Sequence, residues 1–234
     1  QDALLKTLEE PQDNSILILI TSKPHLLRET VISRCQKIRF NAIPNAVIEK
    51  VLSDEFALEW DELKFISNFS YGSLGEAKRF AGLDIFSKKN KILDSFIISS
   101  QKRTFGYDLF NLTEELKRLY RRENSGVSSD NLDFKISDIE FKDVVRIFLS
   151  FFRDAIIFKS GQSEGLINLD RIAEIERFSF AYELEELYDK INSILHLENL
   201  LSQNINEELA FLNMLEELRY PPRIEADISE SKLI

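Results

Sequence analysis

Over the stretch read as a helix at 138–160, Val144, Val145, Phe148, Phe152, Ala155 and Ile156 recur at helical spacing and form a broad apolar face. Such a helix has to be buried on several sides, so its neighbours have to be helices of a bundle. Six side chains of this size contribute roughly 1.5–3 kcal/mol each on burial, before conformational entropy is subtracted. With 234 residues, 44% of them hydrophobic, the chain can build one large core or two to three small ones.

Helical periods continue on both sides, near 86–100, 107–122, 180–202 and 205–219, separated by polar breaks such as "RRENSGVSSDN" and "SGQSEG". Ser137 and Glu140 have the spacing of a capping box for the long helix. Residues 43–85 read as three short helices. In "PNAVIEKVLSDEF", Val47, Val51 and Leu52 share a side and Pro44 suits the first turn; in "DELKFISNF", Leu63, Ile66 and Phe69 point inward; the third starts at Ser73, with Glu76 three residues on. The tail "PPRIEADISESKLI" is polar and reads as frayed or disordered.

The amino-terminal part has a different pattern. It opens "QDALLKTLEEP" with no initiator methionine and already within a helical period, Ala3, Leu4, Leu5 and Leu8 on one face and Pro11 at its end, so residues are expected upstream. "SILILIT" has the composition of a strand covered on both faces, "SKPHLLRETVISR" reads as a loop and short helix, and "QKIRF" as a further strand. Helix, strand, helix, strand predicts the carboxyl-terminal remnant of an α/β layer. The expected fold class is therefore mainly α, with an α/β remnant followed by helices.

Thirty basic against forty acidic residues give a net charge of −10, which denies the chain any broad attraction to nucleic acid. A single cysteine, Cys35, rules out an internal disulfide, and two distant histidines, His25 and His196, argue against a zinc site; both fit a reducing, cytoplasmic setting. In the greasiest region the longest uncharged apolar run, "IFLSFF", falls far short of the about twenty residues a bilayer requires. No phosphate-binding G-x-x-x-x-G-K-[ST], G-x-G-x-x-G or C-x-x-C occurs, "YGSLGEA" does not fit G-x-S-x-G, and no histidine stands near Ser73. Paired carboxylates, Glu9 with Glu10 and Glu216 with Glu217, are expected in so acidic a chain and point to no chemistry without a pocket. No intrinsic catalytic activity is expected of these residues.

Four motifs in order are more specific: "ALLKTLEEP", the end of "ILILIT", "SRC" at Ser33, Arg34 and Cys35, and "GSLGEA" from Gly72. Their order and spacing resemble the bacterial clamp-loader ATPases of DNA polymerase III, a branch of the AAA+ proteins, and the later "FFRDAIIFKSG", "LINLD" and "NINEELAFLNML" resemble its delta prime branch. The resemblance covers nearly all of residues 1–219, more loosely after 86. It implies the end of an AAA+ core at 1–42, a three-helix lid at 43–85, a five-helix oligomerisation collar at 86–219 and a flexible tail at 220–234.

By the same resemblance, Arg34 is the candidate arginine finger, reaching ATP and magnesium held by a neighbouring subunit, while this chain binds no cofactor itself. A planar, permanently charged guanidinium suits that task, since it grips phosphate oxygens bidentately. The plainer alternative is a solvated arginine at a helix end. Thr21 matches the sensor-one position, or is a relic of it; Cys35 reads as a small packing residue. Where hydrolysing members carry a sensor-two arginine this chain has Gly75, with Lys78 and Arg79 a turn further on. The resemblance thus implies a non-catalytic subunit, with other clamp-loader subunits, the sliding clamp and primed DNA as partners and no membrane. Two alternatives stay open: an ATP-hydrolysing gamma/tau-type subunit, and a helix-turn-helix over 43–85 with only Lys78 and Arg79 as cations on its last helix.

Overall fold

The computed structural model describes residues 2–9, 14–100, 113, 139–201 and 206–218, and the chain divides into two compact units, Gln1–Asn41 and Ala42–Ile234. The helix expected at 107–122, Ser137 and the tail lie outside the described residues, apart from helical Thr113.

In the first unit, α1 (Asp2–Glu9) lies against α2 (Glu29–Ile32), with a 3-10 turn at Pro24–Leu26 before it. The α/β expectation is overturned here: among the described residues there is no strand, and the fold is mainly helical. Residues 15–20 and 36–40 are irregular, and Ile16, Ile20 and Phe40 are 88%, 94% and 91% exposed. An extended run becomes a strand only when a second one satisfies its N–H and C=O groups, and neither segment has such a partner among the described residues. β-branched composition alone does not provide one.

The second unit begins with α3 (Asn45–Glu55), α4 (Trp60–Phe69) and α5 (Leu74–Gly82). Pro44 stands immediately before α3, where its missing N–H costs no helical hydrogen bond. Of the expected Val47, Val51 and Leu52, only Leu52 is fully buried; Val51 is half-buried and Val47 half exposed, and Ile48, four residues before Leu52, completes the inner face. Phe65, Phe69 and Phe80 form a ladder of rings, with centroids 4.9 and 5.0 Å apart. Ser73 caps α5 by accepting the Glu76 N–H at 3.3 Å, but the Glu76 carboxylate turns away, so the box is half made.

Then come α6 (Ile85–Ser100), α7 (Phe141–Lys159), α8 (Ile172–Ala181), α9 (Leu184–Leu201) and α10 (Glu207–Glu217). All six apolar residues singled out on α7 are buried, as its breadth demanded. Glu140 is the N-cap, and Asp143 reaches back to its N–H at 2.9 Å, so α7 starts with this box at Phe141. Around α7, Phe148, Phe152 and Phe178 meet Phe96 edge-on or tilted, Phe148 also meets Phe211, and Phe151 meets Phe152 and Phe178; one cluster of buried apolar residues runs from Ile48 to Leu218. The pattern had not revealed α8. Tyr182 breaks it from α9 in an extended conformation, and the Glu183 N–H is taken by Glu186 Oε2 at 2.7 Å.

Gly72 closes the turn into α5 at a φ of +81°; its carbonyl accepts the Ile43 N–H, and a Cβ there would fall 2.5 Å from Ala42 Cβ and 2.9 Å from the Ala42 backbone. Left-handed strain adds to that collision. Gly72→Ala is expected to destabilise the second unit by about 1–3 kcal/mol in urea denaturation followed by circular dichroism.

Candidate functional site

Helix α2 is one turn long, and Ser33, its C-cap, donates its side-chain hydroxyl to the Thr30 carbonyl at 3.2 Å. The backbone N–H groups of Arg34 and Cys35 close further turns onto Val31 and Ile32, both at 3.2 Å, while Val31 is buried. This small knot fixes the stem of Arg34. Its side chain then leaves along the surface: one terminal nitrogen donates to the Thr30 carbonyl at 2.9 Å and the other lies 2.7 Å from Glu9 Oε1 on α1.

Arg34 is thus tied to a carboxylate of its own unit, but not enclosed. The two side chains keep 38% and 51% of their exposure. A pair so well solvated contributes about 0.2–1 kcal/mol. A charge-assisted hydrogen bond to a less hydrated phosphate is worth more, so the guanidinium can change partner at small cost.

The other sequence-predicted residues do not converge on Arg34 through any bond described for them. Thr21 is exposed, and its hydroxyl accepts the Lys23 N–H at 3.0 Å in a local turn; the strand end on which its placement rested is absent. Cys35 is a half-buried free thiol. Gly75 has open space where a Cβ would stand, so sterics do not explain its lack of a side chain. Lys78 pairs with Glu55 at 2.6 Å, and Arg79 is committed to Asp143 and Glu76. Glu10 lies outside the described residues, and Glu217 borders an open groove with Glu186 and Asp189, where Lys190 Nζ binds its backbone carbonyl at 2.9 Å.

The sequence reading missed three clusters of charge that brace the second unit. Arg79 grips both oxygens of buried Asp143, at 2.7 and 2.9 Å, and also Glu76, which Arg146 contacts at 3.1 Å while donating to the Phe69 carbonyl. Hydrogen bonds from Arg79 hold the Glu76 carboxyl below its usual range, and Asp143 in turn raises Arg79. Fully buried Lys89 donates to both oxygens of Asp170 at 2.6 and 2.7 Å and lies 4.4 Å from the ring centroids of Phe65 and Phe86. Burial lowers its ammonium to about 8, against the pull of Asp170. Asp154 accepts the N–H groups of Ile167 and Asn168, together with the Asn168 side-chain amide. Burial pushes its carboxyl up, while those hydrogen bonds pull it down.

These clusters join helices rather than line a cavity. Each lies within the second unit and is spent on internal partners, which makes them braces; the Arg34–Glu9 pair, like Lys78–Glu55 and Lys142–Glu140, is exposed on both sides, so its partner can be exchanged. Among the described residues no three His, Cys, Asp or Glu side chains are placed to hold a metal ion, and no helix is long and apolar enough to cross a membrane.

Residues 1–44 match the family model described as "DNA polymerase III, delta subunit", and residues 134–219 match "DNA polymerase III, delta subunit, C terminal". The chain is 22% identical over 207 residues to "DNA polymerase III subunit delta'" of Bacillus subtilis, covering 88% of this chain and 57% of that protein. It is 28% identical over 208 residues to "DNA polymerase III subunit tau" of the same organism, covering 82% of this chain and 35% of that protein. The chain therefore spans just over half the length of one curated relative and about a third of the other.

Proposed function

We propose that this chain, a clamp-loader subunit of DNA polymerase III at the level of family, is part of a delta prime subunit that presents Arg34 to ATP bound by the neighbouring subunit. The single observation behind this reading is an exposed guanidinium at the second position of Ser33-Arg34-Cys35, held at a helix end by a pair weak enough to exchange. The delta-subunit matches at both ends of the chain support the family, and Gly75 at the sensor-two position supports a member that does not hydrolyse ATP itself.

In this reading residues 1–42 present the finger, 43–85 act as a lid, and 86–219 form the collar that joins subunits. ATP with magnesium sits in the neighbour, and as water attacks the γ-phosphorus and its bond to the bridging oxygen breaks, negative charge moves onto that oxygen and the departing β-phosphate. Arg34 stabilises that charge through its two terminal nitrogens. The other loader subunits, the sliding clamp and primed DNA are the partners, in a cytoplasmic complex. Thr21 keeps a nucleotide-sensing candidacy only through the resemblance.

Arg34→Ala in the full-length subunit is expected to leave the loader assembled and to lower its DNA-stimulated ATPase severalfold. Unchanged turnover overturns the finger assignment. The higher identity to tau favours one second reading, an ATP-hydrolysing gamma/tau-type subunit. Tight, magnesium-dependent binding of a fluorescent ATP analogue by the isolated full-length subunit would select it.

A further inference from the structure

The Arg34 contacts contain more than a place for the residue. Both terminal nitrogens are occupied, one by Glu9 Oε1 at 2.7 Å and the other by the Thr30 carbonyl at 2.9 Å. A phosphate gripped through both terminal nitrogens competes with these acceptors for one cation, and the Glu9 carboxylate would repel a second anion brought against the same guanidinium, so engagement favours release of Glu9. Glu9 is also chemically like what it would be exchanged for: an oxyanion in contact with the guanidinium, presented from α1 while Arg34 follows α2.

We propose that Glu9 is the positioning residue of this site, the anion that Arg34 holds until a phosphate is within reach, so that engagement is an exchange of one oxyanion for another. The proposal rests on the finger reading above and deepens it. Holding the side chain on Glu9 and the Thr30 carbonyl fixes where the guanidinium rests, and sets a threshold that a phosphate-bearing neighbour has to overcome. Because the pair is exposed and solvated, that threshold is small, which suits a contact made and broken in every cycle.

The test uses the assembled loader with full-length Glu9→Gln and Glu9→Asp subunits, reading DNA-stimulated ATPase against ATP concentration. Glu9→Gln removes the competing charge with little change of shape and is expected to lower the apparent KM for ATP about two- to fivefold, with a smaller change in kcat. Glu9→Asp keeps the charge and is expected to return KM toward the parent value. In the Arg34→Ala background, Glu9→Gln is expected to have no further effect. An unchanged or raised KM for Glu9→Gln, or an Asp variant that behaves like Gln, overturns the exchange. If Arg34→Ala lowers turnover while Glu9→Gln matches the parent, the positioning role alone fails; if Arg34→Ala changes nothing, the finger reading fails first.

Discussion

Asp170→Ala is expected to destabilise the second unit by about 3–5 kcal/mol, because it strands a buried ammonium. Lys89 is fully buried, and its nitrogen donates to both Asp170 oxygens, with the faces of Phe65 and Phe86 against it and the Asp154 carboxylate acting on it without a hydrogen bond. Ring quadrupoles do not replace a carboxylate. Urea denaturation at neutral pH measures the loss, and the double change Lys89→Met with Asp170→Leu should recover most of it, since neither charge then needs a partner. A loss below about 1 kcal/mol for Asp170→Ala would mean that the ammonium reaches water after all.

The same pair predicts a pH dependence. Lys89 falls from an ordinary 10.5 to about 8 in the folded protein. Between those values the unfolded chain binds more protons than the folded one, so this group makes stability rise with pH from about 8 to 10.5. Below about 8 the cost of the buried charge is fully present. Without Asp170 the folded value drops further below 8, so the deficit of Asp170→Ala should shrink as the pH is raised through that lower value toward 8 and stay constant above it. A deficit constant from pH 6 to 9.5 would show that the loss comes from packing.

Asp154→Ala should cost as much, about 3–5 kcal/mol, through hydrogen bonds rather than charge. One oxygen of this fully buried carboxylate accepts the Ile167 N–H at 2.9 Å, the Asn168 N–H at 2.7 Å and the Asn168 Nδ2 at 2.8 Å, while the other accepts from Arg153 at 2.9 Å. Alanine leaves the Ile167 and Asn168 backbone donors buried without an acceptor, each at a cost of about 1–3 kcal/mol less whatever relaxation recovers, while the Asn168 amide keeps only Ser150 Oγ at 3.2 Å. The pin ties the loop before α8 to α7. Amide hydrogen exchange should therefore show Ile167 and Asn168 losing protection ahead of the α7 core; equal protection in parent and variant would remove the pin from the account.

The helical part was legible because its signals are local. A helix brings residues three and four apart onto one face, so the apolar side of α7 and the starts at Pro44 and Ser73 could be read from the spacing. The S-R-C arginine was legible as a candidate for a similar reason: it is marked by its immediate neighbours. What failed was the strand reading of "SILILIT" and "QKIRF". Branched apolar residues say that a segment would suit a sheet, and nothing in the segment says whether a second one pairs with it. Missing α8 was a different error, since its buried residues, Ile175, Phe178 and Ser179, include a polar one and leave Phe180 exposed on a ten-residue helix.

From sequence alone, then, come the helical architecture beyond Pro44, the candidacy of Arg34 and the kinship suggested by four motifs in register. The charge partners were decided by tertiary structure. Arg79 finds Asp143, Lys89 finds Asp170 and Arg34 finds Glu9 across long separations along the chain, and a lone charge in a sequence reads as a solvated surface group whatever it will later meet. Periodicity reports which side of a helix faces inward; which charges meet there depends on the angle and register at which helices pack, and those are properties of the assembled core.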